Sequence, residues 1–206
     1  MKINILNYDC GNIWSVKNIF NFLNIDAKVI NSTNEILSSD CIILPGDGSF
    51  KIINDIEKKG FKEPLDSMVN ERKIPILGIC LGMQLLFDNG EEDGSSKGLG
   101  LINGNVKKII PGKDEALPHV GWNNIINVKE NHNLFDNISK NADYYFDHSY
   151  ECIPLKTNVI LSETNYGINN KFVSIVSDRN IYGIQFHPEK SPPNGLFLLK
   201  NFINIK

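Results

Sequence analysis

The sequence predicts an α/β fold with a mostly parallel central sheet flanked by helices, joined by a β-rich antiparallel section. In the first half, apolar strand signals alternate with amphipathic helix signals, the pattern of a parallel sheet with crossover helices. Some strand signals are uninterrupted apolar runs, as in Cys41–Leu44, which is typical of strands buried on both faces. The second half contains mainly short β-like runs, which indicates an added antiparallel section.

The first half is expected to contain four strands and four helices. Apolar residues at i, i+3, i+4 and i+7 support a helix at Asn12–Leu23. A proline in the first turn supports a helix at Pro64–Arg72. Glycine after the fourth helix is a stop signal. The predicted strands are Lys2–Asn7, Ala27–Ile30, Cys41–Leu44 and Ile74–Ile79, and the predicted helices are Asn12–Leu23, Phe50–Lys59, Pro64–Arg72 and Leu81–Asn89.

The second half follows a glycine- and serine-rich loop and ends in one helix, Gly195–Ile203, with an apolar face. In parallel sheets, sites lie at the carboxyl ends of the strands, so the loops that follow them are the places to search. The predicted strands here are Val106–Ile110, Asn123–Val128, Tyr144–Phe146, Val159–Ser162, Phe172–Val176 and Ile181–Phe186.

Length and composition restrict the class of protein. The 206 residues are expected to form a single domain, 1–206. The net charge of −3 argues against a nucleic-acid partner, and no apolar run reaches the ~18 residues of a membrane span. The four cysteines form no C-x-x-C pair and no metal-ligand spacing occurs, so we expect no metal site and reduced thiols in a cytoplasmic protein.

The sharpest motif is Gly78-Ile79-Cys80-Leu81-Gly82, between a buried strand and a helix. This is the form of a nucleophile elbow, in which a tight turn between small residues exposes one reactive side chain. The start of a helix favours a thiolate, and the backbone N–H of Leu81 can face an oxyanion. The alternative is a buried structural cysteine between two turn glycines. The complete strand–turn–helix context favours the catalytic interpretation.

A thiol nucleophile needs a base, and the base needs a group that orients it. His187 follows the last predicted strand, and Glu189 lies two residues further on, so both point the same way in an extended segment. Pro188 between them restricts the backbone. We therefore predict a triad of Cys80, His187 and Glu189. A surface turn after the strand is the alternative for this segment alone.

A glycine loop, Pro45-Gly46-Asp47-Gly48, follows the buried strand Cys41–Leu44. Glycines allow backbone N–H groups to approach a ligand closely. The backbone of Gly46, Asp47 and Gly48 is therefore a candidate for the second half of an oxyanion hole, with an ordinary turn as the alternative.

Taken together, the motifs resemble a known family. Gly78–Gln84 and Gln185–Glu189 are similar to the class I (triad) glutamine amidotransferases. Within that group, the resemblance is to the glutaminase subunits of imidazole glycerol phosphate synthases, and it extends from residue 6 to about residue 203. It is carried by the segments Asn7–Val16, Pro118–Asn123, Tyr145–Tyr150 and Glu189–Ser191.

The resemblance implies a flavodoxin-like fold and a glutaminase reaction without a cofactor. Cys80 would form a γ-glutamyl thioester and release ammonia, with His187 transferring protons and Glu189 behind it. Gln84, Ser149 and Tyr150 would bind glutamine. Asp47 replaces the apolar residue usual in the glycine loop, and its carboxylate would hinder catalysis unless it points outward.

The resemblance also implies a protein partner, a (β/α)₈ cyclase subunit that receives the ammonia for histidine biosynthesis. Asn12, Trp122, Tyr145 and Lys190 match positions at the interface or ammonia gate. A paralogue that supplies a sugar amidotransferase in surface-polysaccharide synthesis shares these motifs, so it stays open as an alternative. A partner-free cysteine hydrolase and a catalytically silent binding module are two weaker alternatives.

Overall fold

The computed structural model describes residues 1–139, 141–168 and 171–205 of the chain. Each strand is followed by one or two helices as far as the fifth helix, and strands then dominate until the last helix. The strands are β1 (Ile3–Leu6), β2 (Ala27–Ile30), β3 (Cys41–Leu44), β4 (Ile76–Ile79), β5 (Phe87–Gly90), β6 (Ser96–Lys97), β7 (Ile102–Lys108), β8 (His119–Asn124), β9 (Asp143–His148), β10 (Tyr150–Pro154), β11 (Ile160–Thr164), β12 (Phe172–Asp178) and β13 (Ile181–Ile184). The helices are α1 (Ile13–Phe22), α2 (Thr33–Leu37), α3 (Ile53–Lys58), α4 (Lys62–Asp66), α5 (Leu81–Leu85) and α6 (Asn194–Asn204).

The central sheet has the order β11-β12-β13-β4-β3-β1-β2 within the described residues. The five strands from β13 to β2 run parallel to one another. Strands β12 and β11 continue the sheet beyond β13 as an antiparallel edge. The predicted mostly parallel sheet is thus confirmed. The β-rich section consists of a second sheet, β10-β7-β5-β6, and the antiparallel pair β8–β9.

The core lies on both faces of the central sheet. Every residue of β1, β3, β4 and β13 is buried, as expected of strands covered on both faces. Helix α1 buries Ile13, Val16 and Phe20 against the sheet, at the spacing of one helical face.

Two predicted elements were wrong in their extent. The expected helix Leu81–Asn89 ends at Leu85, because the following residues pair as β5 with β6 and β7. The expected strand Asn123–Val128 is replaced by β8, which starts at His119 and pairs along its whole length with β9. Strand pairing between distant segments overrides local preference in both cases. Strands β6 and β10 and helix α2 were not predicted.

None of the helices in the described part of the chain combines the length and apolar character that a membrane span requires.

The parallel strands bring three loops to one edge of the sheet. Leu44 at the end of β3 pairs with Gly78 in β4, and Ile79 pairs with Ile184 at the end of β13. The glycine loop, the Cys80 elbow and the segment that contains His187 therefore leave the sheet side by side, as the topology of parallel sheets requires.

Candidate active site

Cys80 occupies a strained turn between β4 and α5. Its φ of 51° and ψ of −109° are rarely adopted by a residue with a side chain, and such strain concentrates at functional sites. The turn is close-packed: a Cβ on Gly82 would lie 2.0 Å from the Leu44 carbonyl oxygen, and one on Gly78 would lie 2.4 Å from the Gly82 carbonyl oxygen. Only glycine fits at either side, so the elbow spacing has a steric cause.

His187 and Glu189 form a buried pair. Nδ1 of His187 lies 2.8 Å from Oε1 of Glu189, and the two side chains are 2% and 0% exposed. The connection differs from the extended segment that the sequence suggests, because Pro188–Lys190 is a short 3-10 turn. A proline in the first position suits such a turn, and the turn still brings the carboxylate to the imidazole.

The charge of His187 is set by two opposing effects. Burial lowers its pKa, but hydrogen bonds to Cys80 and Glu189 outweigh burial and raise the pKa to about 10. Because Nδ1–H faces Glu189, the Nε2 side is the one available to Cys80.

The predicted interface residues surround this pair. The Asn12 amide donates a hydrogen bond to Oε1 of Glu189, and the Tyr145 carbonyl accepts one from the His187 N–H at 2.8 Å. Nζ of Lys190 lies 5.2 Å from the centre of the Tyr145 ring, and the Trp122 ring lies 6.0 Å from that centre. Trp122 is 57% exposed, so an aromatic and cationic surface adjoins the buried pair.

A cavity of about 210 Å³ opens beside Cys80. This volume is smaller than the ~300–1,000 Å³ that drug-sized ligands occupy, so it suits a small metabolite. The cavity contains the predicted ligand-binding residues Gln84, Ser149 and Tyr150. It is also lined by Asp47, Gly48, Leu81, Glu92, Pro118, Asp147 and His148.

The candidate oxyanion donors lie at different depths. Leu81, Asp47 and Gly48 line the cavity, whereas Gly46 is packed beneath the elbow, where a Cβ would lie 2.4 Å from the Gly82 nitrogen. The Asp47 side chain lies against Gly11, since a Cβ on Gly11 would be 3.3 Å from its Oδ2. The Asp47 carboxylate therefore lies beside the first loop, which joins β1 to α1.

The two histidines beside the cavity are structural. Nδ1 of His148 donates to the Tyr150 carbonyl at 2.8 Å, and Nδ1 of His119 lies 3.3 Å from Nε2 of His148. Burial lowers the pKa of His119 to about 4 and that of His148 to about 3. The pair therefore stays neutral and holds the strand segment that carries Ser149 and Tyr150.

Sequence reasoning missed several residues near the Cys80 thiol. Asp147 and His148 precede Ser149 and Tyr150 in the same motif, which was the available signal. Glu92 lies in a turn between glycines, where no pattern marks it. Among residues 1–139, 141–168 and 171–205, no group of three or more His, Cys, Asp or Glu side chains could hold a metal ion.

Comparison with known proteins agrees with this geometry. The family model for class-I glutamine amidotransferase matches residues 6–205. The chain is 42% identical to imidazole glycerol phosphate synthase subunit HisH of Pelagibacter ubique (strain HTCC1062), over 100% of both chains. It is 43% identical to subunit HisH 2 of Vibrio vulnificus (strain YJ016), over 99% of this chain and 94% of that one.

The fold is also that of a solved glutamine amidotransferase crystal structure. The TM-score is 0.76 with 16% sequence identity, over 98% of this chain and 97% of that one. The triad geometry, the full-length family match and the close HisH relatives lead to one conclusion: this chain belongs to the class-I glutamine amidotransferases, in the family of imidazole glycerol phosphate synthase subunit HisH.

Proposed function

We propose that this protein is the glutaminase subunit of an imidazole glycerol phosphate synthase. It hydrolyses glutamine at Cys80 and delivers the ammonia to a separate cyclase subunit of the cytoplasmic histidine pathway. The observation that carries the proposal is the strained Cys80 elbow, which opens on the cavity and lies beside the buried His187–Glu189 pair.

The chemistry follows from the charge state of His187. The Cys80 thiolate attacks the side-chain amide carbon of glutamine, and the protonated His187 gives its proton to the departing nitrogen. Ammonia leaves and a γ-glutamyl thioester remains. Neutral His187 then takes a proton from water, which attacks the thioester carbon. Collapse expels the Cys80 thiolate and leaves the γ-carboxylic acid, which loses its proton to solvent to give glutamate. His187 already holds the proton taken from water, so the starting state is restored, and Glu189 stabilises the imidazole whenever it is charged.

The backbone N–H groups of Leu81 and Gly48 are the proposed oxyanion donors. Leu81 is the first residue of α5, so its N–H has no partner inside the helix. The Asp47 carbonyl accepts a hydrogen bond from the Gly11 N–H at 3.3 Å. Because the N–H and C=O of a trans peptide point in opposite directions, Gly48 N–H faces away from the first loop.

Polar groups in the cavity suit the two ends of a free amino acid. The Gln84 amide nitrogen is engaged by the Tyr150 carbonyl at 3.3 Å and by Oε1 of Gln185 at 3.4 Å. Its oxygen is then the group available to the α-ammonium of glutamine, together with the carboxylates of Glu92 and Asp147. Ser149 and Tyr150 supply hydroxyl and backbone groups for the α-carboxylate.

The partner is a (β/α)₈ cyclase subunit that docks on the surface formed by Asn12, Trp122, Tyr145 and Lys190. An exposed tryptophan beside a tyrosine is the aromatic composition of an interface hot spot, and Lys190 adds a positive charge next to the Tyr145 ring. Asn12 and Tyr145 also contact Glu189 and His187, so docking reaches the triad directly. We expect weak glutaminase activity alone and stimulation by the liganded cyclase, a coupling between two sites.

The test combines activity with partner capture. The wild type, mixed with glutamine, should form glutamate slowly alone and at least tenfold faster with the liganded cyclase. Cys80→Ala should form none, and a glutamine-analogue electrophile should label only Cys80 in the wild type. Co-purification from the source cell should recover the cyclase.

Several outcomes would overturn the proposal. Recovery of a sugar amidotransferase in place of the cyclase would assign the ammonia to polysaccharide synthesis. A full glutaminase rate without a partner, unchanged by the cyclase, would indicate an independent hydrolase. A thiol that never reacts with the electrophile, even in the complex, would indicate a silent module.

A further inference from the structure

Gln185 is a fully buried polar side chain to which the mechanism assigns no role. It directly follows β13, and the Cys80 N–H donates to the carbonyl of the preceding Ile184 at 2.7 Å. Its own N–H donates to the Ser174 carbonyl at 2.8 Å. The backbone therefore fixes Gln185 next to the elbow, and its Nε2 lies 3.7 Å from Sγ of Cys80.

A chain of hydrogen bonds fixes which end of the Gln185 amide faces the sulfur. The Tyr150 carbonyl can only accept, so the Gln84 nitrogen must face it, at 3.3 Å. The same nitrogen lies 3.4 Å from Oε1 of Gln185. The oxygen of Gln185 thus faces Gln84, and its two N–H groups are left for Cys80.

The two contacts of the Cys80 sulfur favour different charge states of that sulfur. The thiol donates to the Asp147 carbonyl at 3.7 Å, and this contact is lost on ionisation because a thiolate has no hydrogen to donate. The Gln185 N–H is a donor, so its hydrogen bond strengthens when the sulfur becomes negative. Gln185 is buried, and water cannot easily replace it.

We propose that Gln185 is a positioning residue for the nucleophile, whose amide, oriented by Gln84 and Tyr150, holds Sγ and favours the thiolate. This inference rests on the proposed function of Cys80 as the attacking group. The same chain of hydrogen bonds links Tyr150, at the start of β10, to the sulfur of Cys80.

The test uses the full-length protein, two variants and one control. Gln185→Met keeps the volume and removes the donor. Gln185→Glu keeps an oxygen for Gln84 and places an acceptor or a negative charge beside the sulfur. Cys152→Ala is the matched control, because Sγ of Cys152 contacts Oε1 of Gln185 at 3.9 Å on the side away from the donor. Alkylation of Cys80 by iodoacetamide is followed against pH by mass spectrometry of the Cys80 peptide.

The expected result is an upward shift of the pH midpoint of alkylation by about one unit in Gln185→Met, which is about a tenfold slower reaction at pH values below the wild-type midpoint. The pH midpoint of alkylation should rise further in Gln185→Glu, and in Cys152→Ala it should equal that of the wild type. In steady state, kcat for glutamine should fall about tenfold or more, while KM stays within about twofold, since Gln185 lies outside the cavity lining.

A wild-type alkylation profile in a folded Gln185→Met protein would overturn the inference, even if the variant melts at a lower temperature. If Gln185→Met does not fold, Gln185→Glu carries the test by the same criterion. Failure of the proposed function is a separate observation: the wild type would then release no glutamate and would not be labelled by the glutamine-analogue electrophile.

Discussion

Nδ1 of His187 lies 2.8 Å from Oε1 of Glu189, and both side chains are almost completely removed from solvent. Asn12 donates to the same carboxylate oxygen. Burial alone would lower the pKa of His187, but the bonds to Cys80 and Glu189 raise it to about 10. The contact therefore orients the imidazole and, together with the interaction with Cys80, keeps it charged at neutral pH.

Replacing Glu189 by glutamine tests this contact with little change of shape. The amide can still accept the Nδ1–H bond but no longer stabilises a charged imidazole, and it can also present its nitrogen and select the wrong tautomer. We expect kcat of the partner-stimulated glutaminase to fall by about 10²- to 10⁴-fold, with a small change in KM. Steady-state glutamate formation measures both, and a kcat within threefold of the wild type would contradict the assigned role.

The pH dependence of stability tests the raised pKa of His187 directly. The ordinary histidine value is ~6.5, and the folded value is about 10. The charged pair therefore stabilises the fold fully below pH ~6.5, and this contribution is lost as pH rises toward 10. We expect the free energy of unfolding to fall between pH 6.5 and 8.5, with a slope of up to about 1.4 kcal/mol per pH unit.

The pH range from 6.5 to 8.5 separates the contribution of His187 to stability from those of other buried titratable groups. His119 and His148, with pKa values of about 4 and about 3, affect stability only below the ordinary histidine value. The buried Cys10 and Cys41 thiols, raised by burial to pKa values of about 11 and about 12, act only above the ordinary thiol value. Urea unfolding at several pH values gives the slope. Glu189→Gln should flatten it, and an equal slope in both proteins would rule out the pair as its source.

The steric requirement at the elbow is tested by Gly82→Ala. The added methyl would lie 2.0 Å from the Leu44 carbonyl oxygen, so strand β3 or the elbow must move. We expect a loss of more than about 3 kcal/mol in unfolding free energy, or failure to fold. Gly60→Ala is the control: its φ is +67° with no atom within 4 Å of the new methyl, so only the left-handed backbone cost of ~1 kcal/mol applies. Equal losses in urea unfolding would contradict the close-packing argument.

Trp122→Ala tests the docking surface. The ring is 57% exposed, so its removal should change the melting temperature little. We expect the affinity for the cyclase subunit to fall by about 30-fold or more, equivalent to ~2 kcal/mol. The basal glutaminase rate of the isolated protein should be unchanged.

Phe22→Ala is the matched control for that surface. Phe22 is 71% exposed and ends the ten-residue helix α1, about 15 Å along the axis from the end that adjoins Asn12. Calorimetric titration with the cyclase should give wild-type affinity for this variant. Equal weakening by both substitutions would place the partner elsewhere.

Local spacing was enough to predict the elbow and the pairing of His187 with Glu189. Gly78 and Gly82 flank Cys80 for steric reasons that act within one turn, and Glu189 reaches His187 across two residues. The alternation of strands and helices likewise follows from periodicities within short windows. The prediction failed at α5 and β8, where pairing with β7 and β9 sets the ends of the elements.

The sequence by itself determined the α/β fold class, the Cys80 elbow and the pairing of His187 with Glu189, because each depends on residues close together in the chain. Only the tertiary structure decided which side chains complete their surroundings. The chain from Tyr150 through Gln84 to Gln185 joins residues separated by 66 and 101 positions. Such contacts depend on the register of the central sheet and on packing across it, which no local pattern encodes.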